Sequence, residues 1–181
     1  MSEQDRVRWD QRYADREPPD KADVDLPAAF RPYADVFPRA GSALDVACGR
    51  GAGAVWLALR GMTVHGVDVS PVAVRAARDL ARRCGVTARC RFDAMDLDAG
   101  LPAGGLVDVL LCSMFRDRRL DVALVSRLAP GGLLAVSALS EVGAAPGPFR
   151  AHAGELTDAF GALEVIASAE TQGQAWLLAR R

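Results

Sequence analysis

The sequence is poor in the side chains that hold metals or form disulfides. It has two histidines and four cysteines, and the cysteines include no CxxC pair. This scatter argues against a zinc site and against a disulfide framework, so we predict no metal. Cys84, Cys90 and Cys112 fall in apolar stretches and are interpreted as buried thiols. Cys48 differs because it lies within a glycine-rich run.

An excess of charge of one sign is also absent. The 181 residues include 22 Lys and Arg against 23 Asp and Glu, which gives a net charge of −1 at pH 7. Nucleic-acid-binding proteins usually carry a basic face, and we therefore expect no nucleic-acid partner. No apolar run approaches the roughly 18 residues that a membrane-spanning helix needs. We accordingly expect no membrane partner and a cytoplasmic location.

The chain does have the run LDVACGRGAG, from Leu44 to Gly53. Its apolar start predicts a short buried strand that contains Asp45. The glycines that follow, Gly49, Gly51 and Gly53, are predicted to supply positive φ and close approach of the backbone before a helix begins. A strand, a glycine turn and a helix N-terminus together form a backbone site for a small ligand.

Apolar runs and helical patterns alternate from residue 43 onward, which indicates βαβ units and a parallel sheet. The last forty residues instead predict a short helix and two strands that pair antiparallel across a short loop. We expect one domain over residues 1–181, with an N-terminal helical segment at 1–40 and a core at 41–181. The predicted strands end near Ala47 and then run from Thr63 to Val67, Ala88 to Phe92, Val107 to Cys112, Leu133 to Ala138, Leu163 to Ala167 and Ala175 to Ala179. The predicted helices are one kinked or two short helices between Leu26 and Phe37, and then Ala52 to Arg60, Val72 to Cys84, Leu120 to Leu128 and Gly154 to Phe160.

A second acidic residue, Asp68, closes the second predicted strand. A carboxylate at that position can accept hydrogen bonds from both hydroxyls of a ribose. The same feature occurs in dinucleotide-binding folds, and Gly49, Gly51 and Ala54 satisfy the GxGxxA variant of their fingerprint. The glycines alone therefore leave a small NAD(P)-dependent oxidoreductase open as an alternative.

Further segments narrow this choice. LDVACGRGAG, VHGVDVS, DAMDLDAGLP, VDVLLC and LAPGGLLAVS, in this order, resemble the successive motifs of class I S-adenosylmethionine-dependent methyltransferases, from about Ala43 to the C-terminus. The resemblance implies an enzyme with S-adenosyl-L-methionine as cofactor. It also implies a Rossmann-like, doubly wound, seven-stranded sheet that is mostly parallel with an antiparallel C-terminal strand.

The resemblance assigns residues to each part of the cofactor. The methionine part would lie against the first motif, the ribose at the end of the second strand, the adenine at the third motif and the sulfonium near the end of the fourth strand. Asp93 is an alternative to Asp96 for the adenine contact. The implied cofactor residues are Asp45, Ala47, Cys48, Gly49, Gly51, Asp68, Val69, Asp96, Leu97 and Cys112.

The N-terminal WDQRY, Trp9 to Tyr13, resembles the opening motif of small members of the family, of the tellurite-resistance and thiopurine type. By that resemblance Trp9, Arg12 and Tyr13 form a lid over the cofactor. Arg12 would face the methionine carboxylate and an aromatic ring would face the sulfonium. The alternative is an amphipathic helix that only packs on the sheet.

The sequence offers no clear catalytic base. His152 is the better placed of the two histidines, and its alternative reading is a histidine in a surface loop. Met114, Phe115 and Arg116 follow the fourth strand and are predicted to form the wall of the acceptor site. The brief loop Pro146 to Pro148 stands where larger relatives could insert a recognition subdomain, so we predict a small-molecule acceptor.

Besides the small NAD(P)-dependent oxidoreductase, a second alternative is a non-catalytic module that binds S-adenosylmethionine as a sensor or scaffold. The missing base favours this module. The chain would act as a monomer or a homodimer.

Overall fold

The computed structural model describes residues 3–147 and 150–181, and there the chain forms five α-helices and eight strands. The α-helices are α1 (Glu3–Ala14), α2 (Ala52–Leu59), α3 (Pro71–Arg83), α4 (Asp121–Arg127) and α5 (Glu155–Phe160). The strands are β1 (Ser42–Val46), β2 (Thr63–Asp68), β3 (Cys90–Ala94), β4 (Val107–Cys112), β5 (Leu128–Ser140), β6 (Arg150–Ala151), β7 (Glu164–Thr171) and β8 (Gln174–Arg180). Short 3-10 helices lie at Lys21–Asp23, Ala28–Val36, Thr87–Arg89, Leu97–Ala99 and Arg118–Leu120.

The strands form one twisted α/β sheet in the order β3-β2-β1-β4-β5-β8-β7. Strands β1 to β5 pair in parallel, whereas β8 runs antiparallel to both β5 and β7. The predicted mostly parallel fold with an antiparallel C-terminal strand is therefore confirmed. The sheet has eight strands instead of seven because the two-residue β6 adds to the end of β5.

The register brings the carboxyl ends of the central strands to one edge. Val46 at the end of β1 stands beside Val67 of β2 and Cys112 of β4, and Cys112 stands beside Val136 of β5. Ligands of open α/β sheets bind at this edge, beside the point where the strand order reverses. Here that point lies between β1 and β4.

Successive side chains of the strands point to opposite faces of the sheet and contribute to one hydrophobic core on each face. On one face, Ala43 and Val109 pack with the apolar sides of α2, α3 and the Ala28–Val36 helix. On the other face, Leu44 and Leu110 pack with residues of α4 and α5. With both faces covered, the central strands are fixed and the carboxyl edge becomes a rigid platform.

Several strands and helices begin or end at residues other than those predicted. The strand expected from Ala88 begins at Cys90 because Thr87–Arg89 forms a 3-10 turn after α3. The expected kinked helix before the core is the 3-10 helix Ala28–Val36, which bends at Tyr33. The glycines after Pro130 lie within β5, where the register against β4 shifts.

The predicted loop Pro146 to Pro148 is described only in part, because Pro148 lies outside the described residues. None of the helices in residues 3–147 and 150–181 has the length and apolar character that a bilayer crossing requires.

Candidate functional site

The glycine run forms a tight backbone turn between β1 and α2. The Cys48 amide donates to the carbonyl of Val67 at 2.9 Å, and the Gly51 amide donates to the carbonyl of Cys48 at 3.0 Å. Gly49 has φ +54° and Gly51 has φ +82°, as the sequence predicts, and Ala47 shares this left-handed conformation at φ +54°. A non-glycine residue in that region marks stored backbone strain beside the turn.

Asp68 ties the end of β2 to this turn. Its Oδ2 accepts the Gly49 amide at 2.8 Å and its Oδ1 accepts the Ser70 amide at 2.9 Å. The residue is only 5% exposed, and burial raises the pKa of its carboxyl against the opposing effect of these two hydrogen bonds. Each oxygen keeps a second lone pair, which is the capacity that a pair of ribose hydroxyls would use.

Asp45 is a buried carboxyl in the middle of the platform. It is 3% exposed, and burial, followed by the nearby charge of Asp68, raises the pKa of its carboxyl to about 8. The backbone amide of Ala54 opposes this shift through a hydrogen bond. Asp45 therefore bears a proton in much of the free protein near neutral pH.

Two adjoining cavities open at this edge. The first, of about 490 Å³, contains Asp45, Ala47, Cys48 and Gly49 on one side and Ser113, Met114 and Ser137 on the other. The second, of about 340 Å³, lies between the start of the Ala28–Val36 helix and the β7–β8 hairpin. Both volumes lie in the range of small-molecule sites, which runs from about 300 to 1,000 Å³. The residues common to the two cavities are Ala28, Ala29, Gln174 and Trp176.

Helix α1 lies across the glycine turn. Asp10 accepts hydrogen bonds from the Ser70 hydroxyl at 2.5 Å and from the Val72 amide at 3.4 Å, so it adds to the N-cap of α3. The Tyr13 hydroxyl lies over Gly49, only 3.1 Å from where a Cβ would be, and the ring lines the first cavity. Burial, followed by the charge of Asp68, raises the pKa of this phenol.

The two other predicted lid residues point elsewhere. Trp9 stacks on Tyr13 with ring centroids 5.6 Å apart, and the Arg12 guanidinium lies 5.2 Å from the Trp9 ring centre. Neither side chain is among those that line the cavity, whereas Arg16, two residues after the end of α1, is. Arg16 was missed because it lies outside the WDQRY motif.

The loop after β4 is held by one hydroxyl of β5. Ser137 Oγ lies 3.0 Å from Ser113 Oγ and accepts the Met114 amide at 3.1 Å. Met114 has φ +56° and is 47% exposed, with its side chain at the first cavity. The predicted acceptor residue Met114 thus faces the cleft in a strained conformation.

Two other predicted acceptor residues do not face it. The Arg116 side chain is 4% exposed and pairs with Asp121 at 2.5 Å and with Glu155 at 2.6 Å, because it joins the β4 loop to α4 and α5. Phe115 packs against the core beside α4 and α5. Of the three predicted acceptor residues, Met114 lines the first cavity, together with Ser113 and Ser137.

The remaining predicted cofactor residues occupy different surroundings. Cys112 and Leu97 are buried in the core, so their side chains do not line the cavity. Asp96 caps the Leu97–Ala99 helix by accepting the Asp98 amide at 2.9 Å. The alternative, Asp93, is engaged by His65 at 2.9 Å and by Arg91 at 2.7 Å.

His152 lies outside the cleft. Its Nδ1 is 2.8 Å from a carboxylate oxygen of Glu141, its side chain is 67% exposed, and it lines neither cavity. The structure therefore favours the surface-loop reading over a catalytic base. Val69, the remaining predicted cofactor residue, is buried directly after Asp68.

Comparisons with known proteins identify a family for part of the chain. Residues 43–132 match the family described as "Methyltransferase domain". The chain is 36% identical, over 104 residues, to a ribosomal RNA small subunit methyltransferase C of Alcanivorax borkumensis, a match that covers 52% of this chain and 31% of the relative. The chain thus spans about a third of the length of that relative.

Solved structures share the fold. TehB from Haemophilus influenzae superposes with a TM-score of 0.76 at 18% identity, covering 86% of this chain and 62% of TehB. An S-adenosylmethionine-dependent methyltransferase from Mesorhizobium loti gives a TM-score of 0.69 at 18% identity, covering 85% of this chain and 98% of that protein. At these identities the likeness concerns the fold.

Proposed function

The chain carries a methyltransferase domain of class I, the S-adenosylmethionine-dependent type, and on that premise we propose that it transfers the methyl group of S-adenosyl-L-methionine to a small-molecule acceptor. The observation that carries the proposal is the placement of two buried carboxyls, Asp45 and Asp68, around the Gly49 turn beside a cavity of about 490 Å³. That cavity continues to the Ser113–Ser137 hydroxyl pair, where an acceptor can enter.

The residues of the first cavity fit the two ends of the methionine part of the cofactor. Burial and Asp68 disfavour the ionised form of Asp45, and a bound ammonium group would offset both effects. Arg16 brings a guanidinium to the same cavity, and a guanidinium pairs well with a carboxylate. We therefore assign the ammonium to Asp45 and the carboxylate to Arg16 instead of Arg12.

Asp68 is assigned to the ribose, and α1 to the lid. Because the Tyr13 hydroxyl lies over Gly49, the ring must shift when a nucleoside reaches Asp68. The contacts of Asp10 with Ser70 and Val72 then hold the rest of α1 over the bound ligand.

S-adenosyl-L-methionine supplies a methyl group that is already activated by its sulfonium. The work of the chain is to hold an acceptor in line and to exclude water, and such positioning can contribute about 7 to 11 kcal/mol. Of the other carboxylates at the first cavity, Asp23 accepts the Asp20 amide and Asp25 pairs with Arg31. With these groups engaged, the site suits an acceptor atom that needs little help from a base.

Calorimetry with S-adenosylhomocysteine tests the assignment of Arg16. Arg16→Ala should weaken binding about tenfold or more, because a charge-assisted hydrogen bond contributes roughly 1.5 to 3 kcal/mol. Arg12→Ala is the matched control and should change affinity by about twofold at most. Methylthioadenosine, which lacks the carboxylate, should bind Arg16→Ala and the wild type alike, and equal losses for both ligands would contradict the assignment.

Calorimetry with these two ligands also tests the assignment of the ribose to Asp68 and the proposed function itself. Asp68→Ala should weaken both S-adenosylhomocysteine and methylthioadenosine, since both contain the ribose. If neither ligand binds the wild-type protein, the proposed function is wrong.

A non-catalytic S-adenosylmethionine-binding module is the second candidate. It is favoured by the position of His152, which lines neither cavity and pairs with Glu141. A screen of small thiols, amines and phenols for release of S-adenosylhomocysteine separates the two functions. Tight binding of S-adenosylmethionine without turnover on any acceptor would favour the module.

A further inference from the structure

We infer that the second cavity is the acceptor compartment and that it takes an uncharged, flat ring compound, stacked on Trp176; this rests on the proposed methyl transfer. The compartment lies between the Ala28–Val36 helix and the β7–β8 hairpin and has a volume of about 340 Å³. This is near the lower end of the range for small-molecule sites. It suits one small ring system and not a polymer.

Trp176 forms a fixed aromatic wall. It lies on β8 opposite Ser137 of β5, so it belongs to the same platform as the hydroxyl pair. The edge of Phe30 meets its ring at 6.0 Å between centroids, and the Tyr33 ring packs at 5.7 Å. Phe30 is fully buried, so it holds the Trp176 ring in place, and Trp176 also lines both cavities. A held indole provides a stacking surface at little entropic cost.

The polar groups of the compartment carry no charge. Besides Trp176 and two alanines, its lining consists of Thr171, Gln172 and Gln174. Hydroxyl and amide groups can donate and accept hydrogen bonds but cannot neutralise an ion. A charged acceptor would therefore lose its hydration without gaining a counter-charge.

The charged side chains near the hairpin already have partners. Arg150 donates to the carbonyl of Ser140 at 2.6 Å and to that of Gly173 at 3.4 Å. Glu170 accepts the Ser140 hydroxyl and the Gly154 amide. These contacts hold the hairpin in place and leave the cavity lining neutral.

The compartment opens toward the methyl-transfer position. Gln174 and Trp176 line both cavities, and the first cavity contains Ser113 and Ser137. A ring on Trp176 can thus project a hydroxyl, thiol or amine substituent into the first cavity. In the transfer that atom forms a bond to the methyl carbon while the bond from carbon to sulfur breaks, S-adenosylhomocysteine leaves, and the proton of the acceptor goes to solvent.

Calorimetry on protein saturated with S-adenosylhomocysteine tests this inference with naphthol as the neutral probe and hydroxynaphthoate as its carboxylated counterpart. The wild type should bind naphthol at least about tenfold more tightly than hydroxynaphthoate. Trp176→Ala should weaken naphthol about tenfold, and this loss should exceed any loss of S-adenosylhomocysteine affinity, because Trp176 lines both cavities. Trp56→Phe is the control, because Trp56 packs against Phe37 and Arg60 and lines neither cavity.

Gln174→Glu provides a second variant that keeps the core intact, since Gln174 is exposed. It should weaken hydroxynaphthoate further and strengthen binding of aminomethylnaphthalene, which is cationic. Unchanged naphthol affinity in Trp176→Ala, equal affinity for naphthol and hydroxynaphthoate, or no binding of either ring would overturn the inference. Each of these results leaves cofactor binding intact, whereas a wild type that binds no S-adenosylhomocysteine refutes the proposed function itself.

Discussion

Asp45 shows how burial changes the chemistry of a single carboxyl at this site. It lies on the apolar strand β1, and its raised pKa has two physical causes, burial and then the charge of Asp68. A group of this kind lowers the stability of the folded state when it is ionised. A cationic ligand bound beside Asp45 would offset the cost of burying its ionised form.

The stability of the protein should therefore depend on pH through Asp45. The pKa of Asp45 is about 8 in the folded state and about 4 in an unfolded chain. Between about pH 4 and pH 8, Asp45 is therefore protonated in the folded state and ionised in the unfolded state. The free energy of unfolding should fall by at least about 1 kcal/mol as the pH rises through that window, since one pKa unit corresponds to about 1.4 kcal/mol.

Asp45→Asn should remove this dependence. Its unfolding free energy should match that of the wild type near pH 4 and exceed it near pH 8 and above, as measured by urea denaturation. Asp35→Asn, at an exposed position, controls for the loss of one negative charge. A variant that is less stable than the wild type at alkaline pH would contradict the assigned cause.

Individual side chains are also where sequence-based prediction was weakest. Arg116 follows the fourth strand, as an acceptor residue should, yet it is buried in ion pairs with α4 and α5. The apolar pattern around Trp176 predicts a strand and nothing more, although Trp176 lines both cavities. Such roles depend on partners that are distant in the sequence, and neither spacing nor periodicity reports them.

At the scale of elements, the turn between β1 and α2 is fixed by close packing. Gly51 has φ +82°, and a Cβ placed there would lie 2.7 Å from Cβ of Ala77 on α3. The prediction of positive φ at Gly53 was wrong, because Gly53 already lies in α2; a Cβ there would lie 2.7 Å from Leu111 of β4. The run of glycines therefore serves two needs, a left-handed turn and the approach of helices to the sheet.

Gly51→Ala should lower the free energy of unfolding by more than the strain of the left-handed backbone alone. The left-handed conformation costs a residue with a Cβ about 1 to 2 kcal/mol, and the contact with Ala77 adds an overpacking penalty of roughly the same size. Gly85→Ala is a matched control because Gly85 has φ +72° and nothing within 4 Å of its Cβ position. Urea denaturation should give the larger loss for Gly51→Ala, and equal losses would show that the contact with Ala77 relaxes freely.

Helix α1 is a contrasting element, because it is held by polar contacts. No residue of α1 is fully buried, and the helix is fastened to α3 through Asp10 and Ser70. The sequence predicted this helix and its two aromatic residues. It could not predict the fastening, because an N-cap serine normally binds only the backbone of its own helix.

For the molecule as a whole, the order of elements could be predicted and the shape of the cleft could not. Alternating apolar runs with Asp45 and Asp68 at strand ends indicated the parallel sheet and its carboxyl edge, since periodicity and turn residues are local signals. The second cavity arises where the Ala28–Val36 helix meets the β7–β8 hairpin. These segments are more than a hundred residues apart in the chain.

The charge of the whole molecule bears on whether the acceptor is ribosomal RNA, the substrate class in the name of one relative. The net charge is −1, and the cations at the cleft are largely engaged, with Arg31 paired to Asp25 and Arg50 donating to the carbonyl of Glu17. On the exposed face of α3, Arg82 pairs with Asp79. RNA binding requires cations that neutralise several phosphates and release counterions.

We therefore expect the purified protein to release S-adenosylhomocysteine with uncharged ring compounds and not with ribosomal RNA. Turnover on naphthol should be nearly independent of salt, because no phosphate contact is involved. Filter binding of ribosomal RNA at low salt, with a basic RNA-binding protein as the positive control, should show only weak retention. RNA-dependent release of S-adenosylhomocysteine that declines steeply with salt would instead show that a polyanion reaches the cleft, since that slope counts the phosphates neutralised.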